Sequence, residues 1–132
     1  MKIEGANALV TGANRGIGKA FAEELLERGA TKVYAGVRDV ATVTDPRLVP
    51  VQLDVTDAAR VGAVAAELGD VDLVVNNAGT GLPGLPLQAG LDDARYELEL
   101  NYLGIVSMTE AFAPVIAANG GGAFVNMLSV VS

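Results

Sequence analysis

A parallel α/β sheet with helices on both faces is the fold class this sequence predicts, and three observations predict it. Short apolar runs alternate with stretches of helical periodicity from end to end, without repeats or a dividing linker. The run Val71 to Asn76 is almost purely apolar, as a strand covered on both faces must be. Apolar residues make up 51% of the chain and aromatic residues 5%, a mixture that suits covered strands and helices better than a β-sandwich.

The first strand is expected over Asn7 to Val10, followed by a helix of about Ile17 to Arg28 whose apolar face is Ala20, Phe21, Leu25 and Leu26, with Gly29 as its stop. The second and third strands are Lys32 to Val37 and Val49 to Leu53. Asp45-Pro46 argues against a long helix between them, leaving room for one turn over Val40 to Thr44. Thr56 and Asp57 are placed to cap a helix over Ala58 to Glu67, which stops at Gly69. After the fourth strand, Leu91 to Asn119 reads as one long helix with Leu91, Leu98, Ile105, Phe112 and Ile116 on one stripe and Ala94, Tyr102 and Thr109 beside it. Pro114 is expected to kink or restart it. Gly120-Gly121-Gly122 leads into a fifth strand, Ala123 to Leu128. Right-handed crossovers make the sheet parallel, and a reversal of direction after the third strand leaves a cleft at the carboxyl ends of the first and fourth.

At 132 residues the chain is expected to form one domain, 1–132, burying about two thirds of its unfolded surface. A net charge of −7 with nine scattered basic residues excludes a phosphate-tracking nucleic-acid surface. With neither Cys nor His, disulfides, the usual metal sites and a Ser-His-Asp triad are excluded as well. The amino terminus has no signal-like apolar segment, and no stretch is read as long enough to span a bilayer. The expectation is therefore a cytoplasmic protein with no membrane partner.

Chemistry concentrates in Thr11-Gly12-Ala13-Asn14-Arg15-Gly16-Ile17-Gly18, between the first strand and first helix. Gly12 suits a tight strand-to-helix turn, Gly16 holds no side chain against an incoming phosphate, and Gly18 lets the helix sit close on the strand. Free N–H groups and the helix dipole then face an anion such as a dinucleotide pyrophosphate. The spacing is G-x-x-x-G-x-G rather than G-x-G-x-x-G, and a structural glycine turn is the competing reading.

Together with Asn76-Asn77-Ala78-Gly79 after the fourth strand and Val125-Asn126-Met127-Leu128-Ser129 in the fifth, this turn makes the chain resemble the short-chain dehydrogenase/reductase family over essentially its whole length. The resemblance implies a Rossmann-like, doubly wound parallel sheet with strand order 3-2-1-4-5, and two further strands beyond the fifth. It implies a nicotinamide coenzyme held by Gly12, Asn14, Arg15, Gly16, Ile17 and Gly18 at the turn, by Asp54 and Val55 after the third strand, and by Asn76, Ala78 and Gly79. Asp54 is expected to be free to accept from the adenine amino group. Arg38, ending the second strand, with Arg15, favours NADP over NAD, and Asp39 dissents: if it faces the ribose instead, NAD returns.

The resemblance also implies a small carbonyl or alcohol substrate, with Ser129 holding its oxygen and Asn101 supporting a proton-relay water. A strand-end hydroxyl and a helix-surface amide are the competing readings of these two. The family's Tyr-x-x-x-Lys is expected about a dozen residues past the serine, but the sequence ends at Ser132. Tyr34, Tyr96 and Tyr102 are followed four residues later by Arg38, Leu100 and Val106, so no substitute pair exists. The polypeptide alone is therefore expected to lack turnover. An uncovered fifth strand and long helix are expected to make it a homo-oligomer.

Overall fold

The computed structural model describes residues 1–79 and 86–128. Five strands, β1 (Asn7–Thr11), β2 (Lys32–Val37), β3 (Val49–Gln52), β4 (Leu73–Asn76) and β5 (Ala123–Asn126), form one parallel sheet in the order β3-β2-β1-β4-β5. Helices α1 (Gly16–Glu27), α2 (Ala58–Glu67), α3 (Pro86–Leu98) and α4 (Gly104–Ala118) alternate with them, and a π-helical turn, Glu99–Leu103, joins the last two.

Alternation along the strands sorts side chains into two cores. On one face Ala8, Val10, Leu73 and Val75 pack against Ala22 and Leu25 of α1. On the other Leu9 and Val74 pack against Val61 and Val64 of α2 and Met108, Phe112 and Ile116 of α4. β3 carries Pro50 and leaves Val49, Pro50 and Gln52 exposed, as an edge strand does. The single turn expected after β2 is the 3-10 turn Val40–Thr42, and Asp57 caps α2 by accepting from the Arg60 N–H at 3.0 Å.

The first helix buries Gly18, Ala22 and Leu25; Ala20, read as part of its inner face, is exposed. A larger correction concerns the long last helix. The Gly104 N–H donates to the Glu99 carbonyl five residues back, so the π turn holds an extra residue and rotates everything after it. The buried face of α4 is Gly104, Met108, Phe112 and Ile116, whereas Leu91 and Leu98 of the expected stripe are exposed. Helical winding continues through Pro114, which lies on the exposed side, where water can reach the carbonyl left without its N–H. Contrary to the sequence reading, Gly90–Ala118 is long and apolar enough to cross a bilayer by length and composition; three of its side chains nonetheless build the sheet's core.

Candidate active site

The crossover reverses at β1, which pairs with β2 on one side and β4 on the other, so the loops leaving these strands diverge and open a cleft of about 530 Å³. Its walls come from four places: the β1–α1 turn (Thr11, Gly12, Asn14 to Ile17), the end of β2 (Gly36 to Asp39, Thr42), the end of β3 (Leu53 to Val55) and the end of β4 (Asn77 to Gly79), with Tyr96 and Leu100 above.

One hydroxyl joins the two central strands. The Thr11 hydroxyl accepts from the backbone N–H groups of Asn77 (3.0 Å) and Ala78 (2.9 Å) and donates to the Val75 carbonyl (3.4 Å). The Asn77 amide donates in turn to the carbonyls of Thr11 (3.2 Å) and Gly12 (3.4 Å). This lattice holds the glycine turn against the end of β4. Gly12, at φ 67°, makes the turn, and a Cβ on Gly18 would collide with the Gly12 carbonyl and the Asn77 amide, so helix and strand touch as the sequence reading required. Gly16, at φ 57°, has open space where its Cβ would be. The α1 cap, Arg15, makes no side-chain capping bond among the described residues, and the first turn carries no acidic residue, so main-chain N–H groups of α1 and its dipole are left for an anion in the cleft.

Arg15 and Arg38 are exposed cleft residues, and among the described residues neither is in an ion pair. Asp39 lines the same wall, but its carboxylate caps the 3-10 turn by accepting from the Ala41 N–H at 3.0 Å. Asn14, Ile17, Val55, Ala78 and Gly79 line the cleft as read from sequence.

Two candidates sit differently. Asp54 lines the cleft; its Oδ1 accepts from the Thr56 N–H (3.0 Å) and hydroxyl (2.7 Å) in an Asx turn, so of the carboxylate read as free one oxygen is engaged. Asn76 is buried in β4 outside the lining; its amide donates to Asn126 Oδ1 of β5 at 2.9 Å, and its own Oδ1 has no partner among the described residues. Asn101 lies in the π turn over Gly79, where a Cβ would stand 2.9 Å from its Oδ1. Ser129 lies outside the described residues. Sequence reasoning missed Asn77, Thr42, Tyr96 and Leu100. The four-residue spacing of Tyr96 and Leu100 was the available signal for the last two, but their facing depends on the π turn.

Tyr34 has a lysine beside it, yet is not part of the cleft lining. Its hydroxyl donates to Asp70 at 2.9 Å and accepts from Lys32 at 3.2 Å, toward the amino ends of the strands. Burial and the bond to Asp70 push the phenol up, against the direction a proton acceptor needs. The Lys32 ammonium is raised by its bond to Asp70. Burial pushes the Asp70 carboxyl up, but its bonds to Lys32 and Tyr34 outweigh that and hold it down.

The wall carrying Arg38 and Thr42 is pinned behind by Arg47, which binds Asp45 at 2.8 Å and Glu27 at the end of α1 at 3.0 Å. Side-chain and backbone hydrogen bonds from Arg47 hold the Asp45 carboxyl down to about 2. A carboxyl depressed on folding stabilises the native state above its unfolded pKa of 3.8 and loses that contribution as pH falls through 2. Acid titration of stability should therefore show a component between pH 4 and 2 that Asp45→Asn lacks; identical profiles for wild type and variant would refute it.

A family model described as short chain dehydrogenase matches residues 6–132. A sorbitol dehydrogenase of Cereibacter sphaeroides is 36% identical over 98% of this chain and 54% of its own length. A crystal structure of a short chain dehydrogenase from Burkholderia cenocepacia in complex with NADP superposes with a TM-score of 0.91 at 47% identity, covering 98% of this chain and 55% of that one. Another from Burkholderia phymatum, in complex with NAD, gives 0.88 at 29% identity over 98% of this chain and 51% of that one. The chain spans about half the length of these relatives.

Proposed function

The chain belongs to the short-chain dehydrogenase family, and on that premise we propose that residues 1–132 act as one dinucleotide-binding unit of an NADP(H)-dependent oxidoreductase acting on a small carbonyl or alcohol compound. The bound nicotinamide would supply hydride chemistry; the residues here would bind and orient it. Gly12, Gly16 and the first-turn N–H groups would receive the diphosphate, while Ala78 and Gly79 leave room for a ribose at the end of β4. Asn101 and Ser129 are proposed to face the substrate side.

One observation carries the coenzyme choice. Arg15 and Arg38 line the cleft, exposed and without an ion-pair partner among the described residues, whereas Asp39 on the same wall gives one carboxylate oxygen to the Ala41 N–H. The NADP complex of the Burkholderia cenocepacia relative supports this reading, and the NAD complex of the Burkholderia phymatum relative is the reason to test it. A non-catalytic nucleotide-binding role is the second reading, since binding needs only the glycine turn and the first-turn N–H groups. A cytoplasmic location completes the proposal.

In calorimetric titrations the wild-type chain should prefer NADPH to NADH, and Arg38→Ala should weaken NADPH binding by roughly ten- to a hundredfold while leaving NADH nearly unchanged. An unchanged NADPH affinity in the variant would exclude the guanidinium as the selector. Mixed with NADPH and activated ketones, the 132-residue chain should oxidise no more coenzyme than buffer does; turnover with a tyrosine-like pH dependence would contradict this. Self-association is proposed through the exposed Leu98, Tyr102 and Val106 and the β5 edge, and a compact monomer in light scattering at high concentration would count against it.

A further inference from the structure

The segment between β2 and β3 carries Arg38, and short hydrogen bonds stiffen it along its length. Asp39 caps the Val40–Thr42 turn, and its carbonyl accepts from the Thr42 hydroxyl at 2.6 Å. Asp45 builds a second turn, its Oδ1 accepting from the Arg47 N–H at 2.9 Å and its carbonyl from the Leu48 N–H at 3.2 Å. Leu48 is buried in the core under α1 and Val43 packs against the same cluster, so the segment is rooted by apolar contacts, which are non-directional. Beside the start of α1 it leaves a crevice of about 10 Å³, lined by Thr42 to Asp45 on one side and Ala13, Asn14 and Lys19 on the other, so packing there does not fix the distance between the two. Arg47 supplies the missing direction. Its Nε and Nη2 donate to the Asp45 carboxylate at 3.1 and 2.8 Å, and its Nη1 donates at 3.0 Å to Glu27, the last residue of α1. The Asp45 side chain is 13% exposed, so this forked bond is less screened than an open surface pair. Helix α1 is a stiff rod about 18 Å long that begins in the glycine turn at Gly16. Holding the segment to its far end therefore also holds Arg38 relative to the end that faces the cleft.

We propose that Arg47 is a positioning residue: through Asp45 and Glu27 it sets the spacing between Arg38 and the amino end of α1, and so tunes selection of a nucleotide that carries a 2′-phosphate as well as a diphosphate. The proposal rests on the coenzyme reading above and adds which residue behind the wall adjusts it. Arg47 is not part of the cleft lining and acts through Arg38. A coenzyme without the 2′-phosphate does not sense the spacing. Because the Arg47 and Glu27 side chains are exposed, the effect is modest.

The test is calorimetry of the 132-residue chain with NADPH and NADH, in Arg47→Ala, Glu27→Gln, Arg38→Ala and the Arg38→Ala/Arg47→Ala double variant. Arg47→Ala and Glu27→Gln should each weaken NADPH about three- to fivefold, the range an exposed pair can transmit, and leave NADH unchanged. In the Arg38→Ala background Arg47→Ala should cost nothing further. Glu27→Gln, which keeps the Asp45 bond, decides the matter if Arg47→Ala does not fold. Unchanged NADPH affinity in either folded variant overturns the proposal and leaves the coenzyme reading standing, and so does full additivity of the Arg38 and Arg47 substitutions. Equal loss of NADPH and NADH overturns it too, since Arg47 would then support the fold and not the spacing. If folded wild type binds neither coenzyme, or Arg38→Ala binds NADPH like wild type, the coenzyme reading falls, and this inference with it.

Discussion

The hydroxyl of Thr11 is the constraint on which the cleft depends. Two backbone N–H groups of the β4 end converge on it, and it donates to a third partner on the same strand. Buried hydrogen bonds of this kind matter less for their net energy than for the cost of leaving any member unpaired. With Asn77 bridging back to the carbonyls of Thr11 and Gly12, the two strands that part at the sheet's reversal are tied where they part. Close contact of Gly18 with the same carbonyl and amide then fixes where α1 begins, and hence where its main-chain donors point.

The second determinant is a winding defect. A single π turn between α3 and α4 changes the phase of the helix, so the side chains packed on the sheet downstream do not continue the stripe upstream. The same turn holds Asn101 over Gly79 and includes Leu100 of the cleft lining. A site-lining and a core-forming face can thus coexist on one helical stretch. Leu91 and Leu98 remain exposed, which gives the segment an apolar outer surface as well.

Electrostatics follow from local capping rather than net charge. The chain carries −7 overall, yet the cleft presents two arginines that are in no ion pair among the described residues, because nearby carboxylates bond to other groups. Asp39 caps a turn, Asp54 holds Thr56, and Asp45 is bound to Arg47 behind the wall. Each acid is bonded within a few residues of its own position, though Asp39 and Asp54 line the same cleft as the arginines.

Residues close in sequence carried most of what could be read before the structure. Strand alternation, the glycines at 12, 16 and 18, and the apolar run of β4 are short-range patterns. Backbone sterics and hydrophobic periodicity act over a few residues, so the sequence alone determined the parallel α/β sheet and the turn that opens on its cleft. Which Asn of Asn76-Asn77 faces the cleft and which side of the long helix is buried were decided only in the tertiary structure. Those outcomes depend on partners about fifty to sixty-five residues away, such as Asn126 for Asn76 and Thr11 for Asn77, or on one extra residue in a helical turn. No pattern of adjacent residue types encodes those distances.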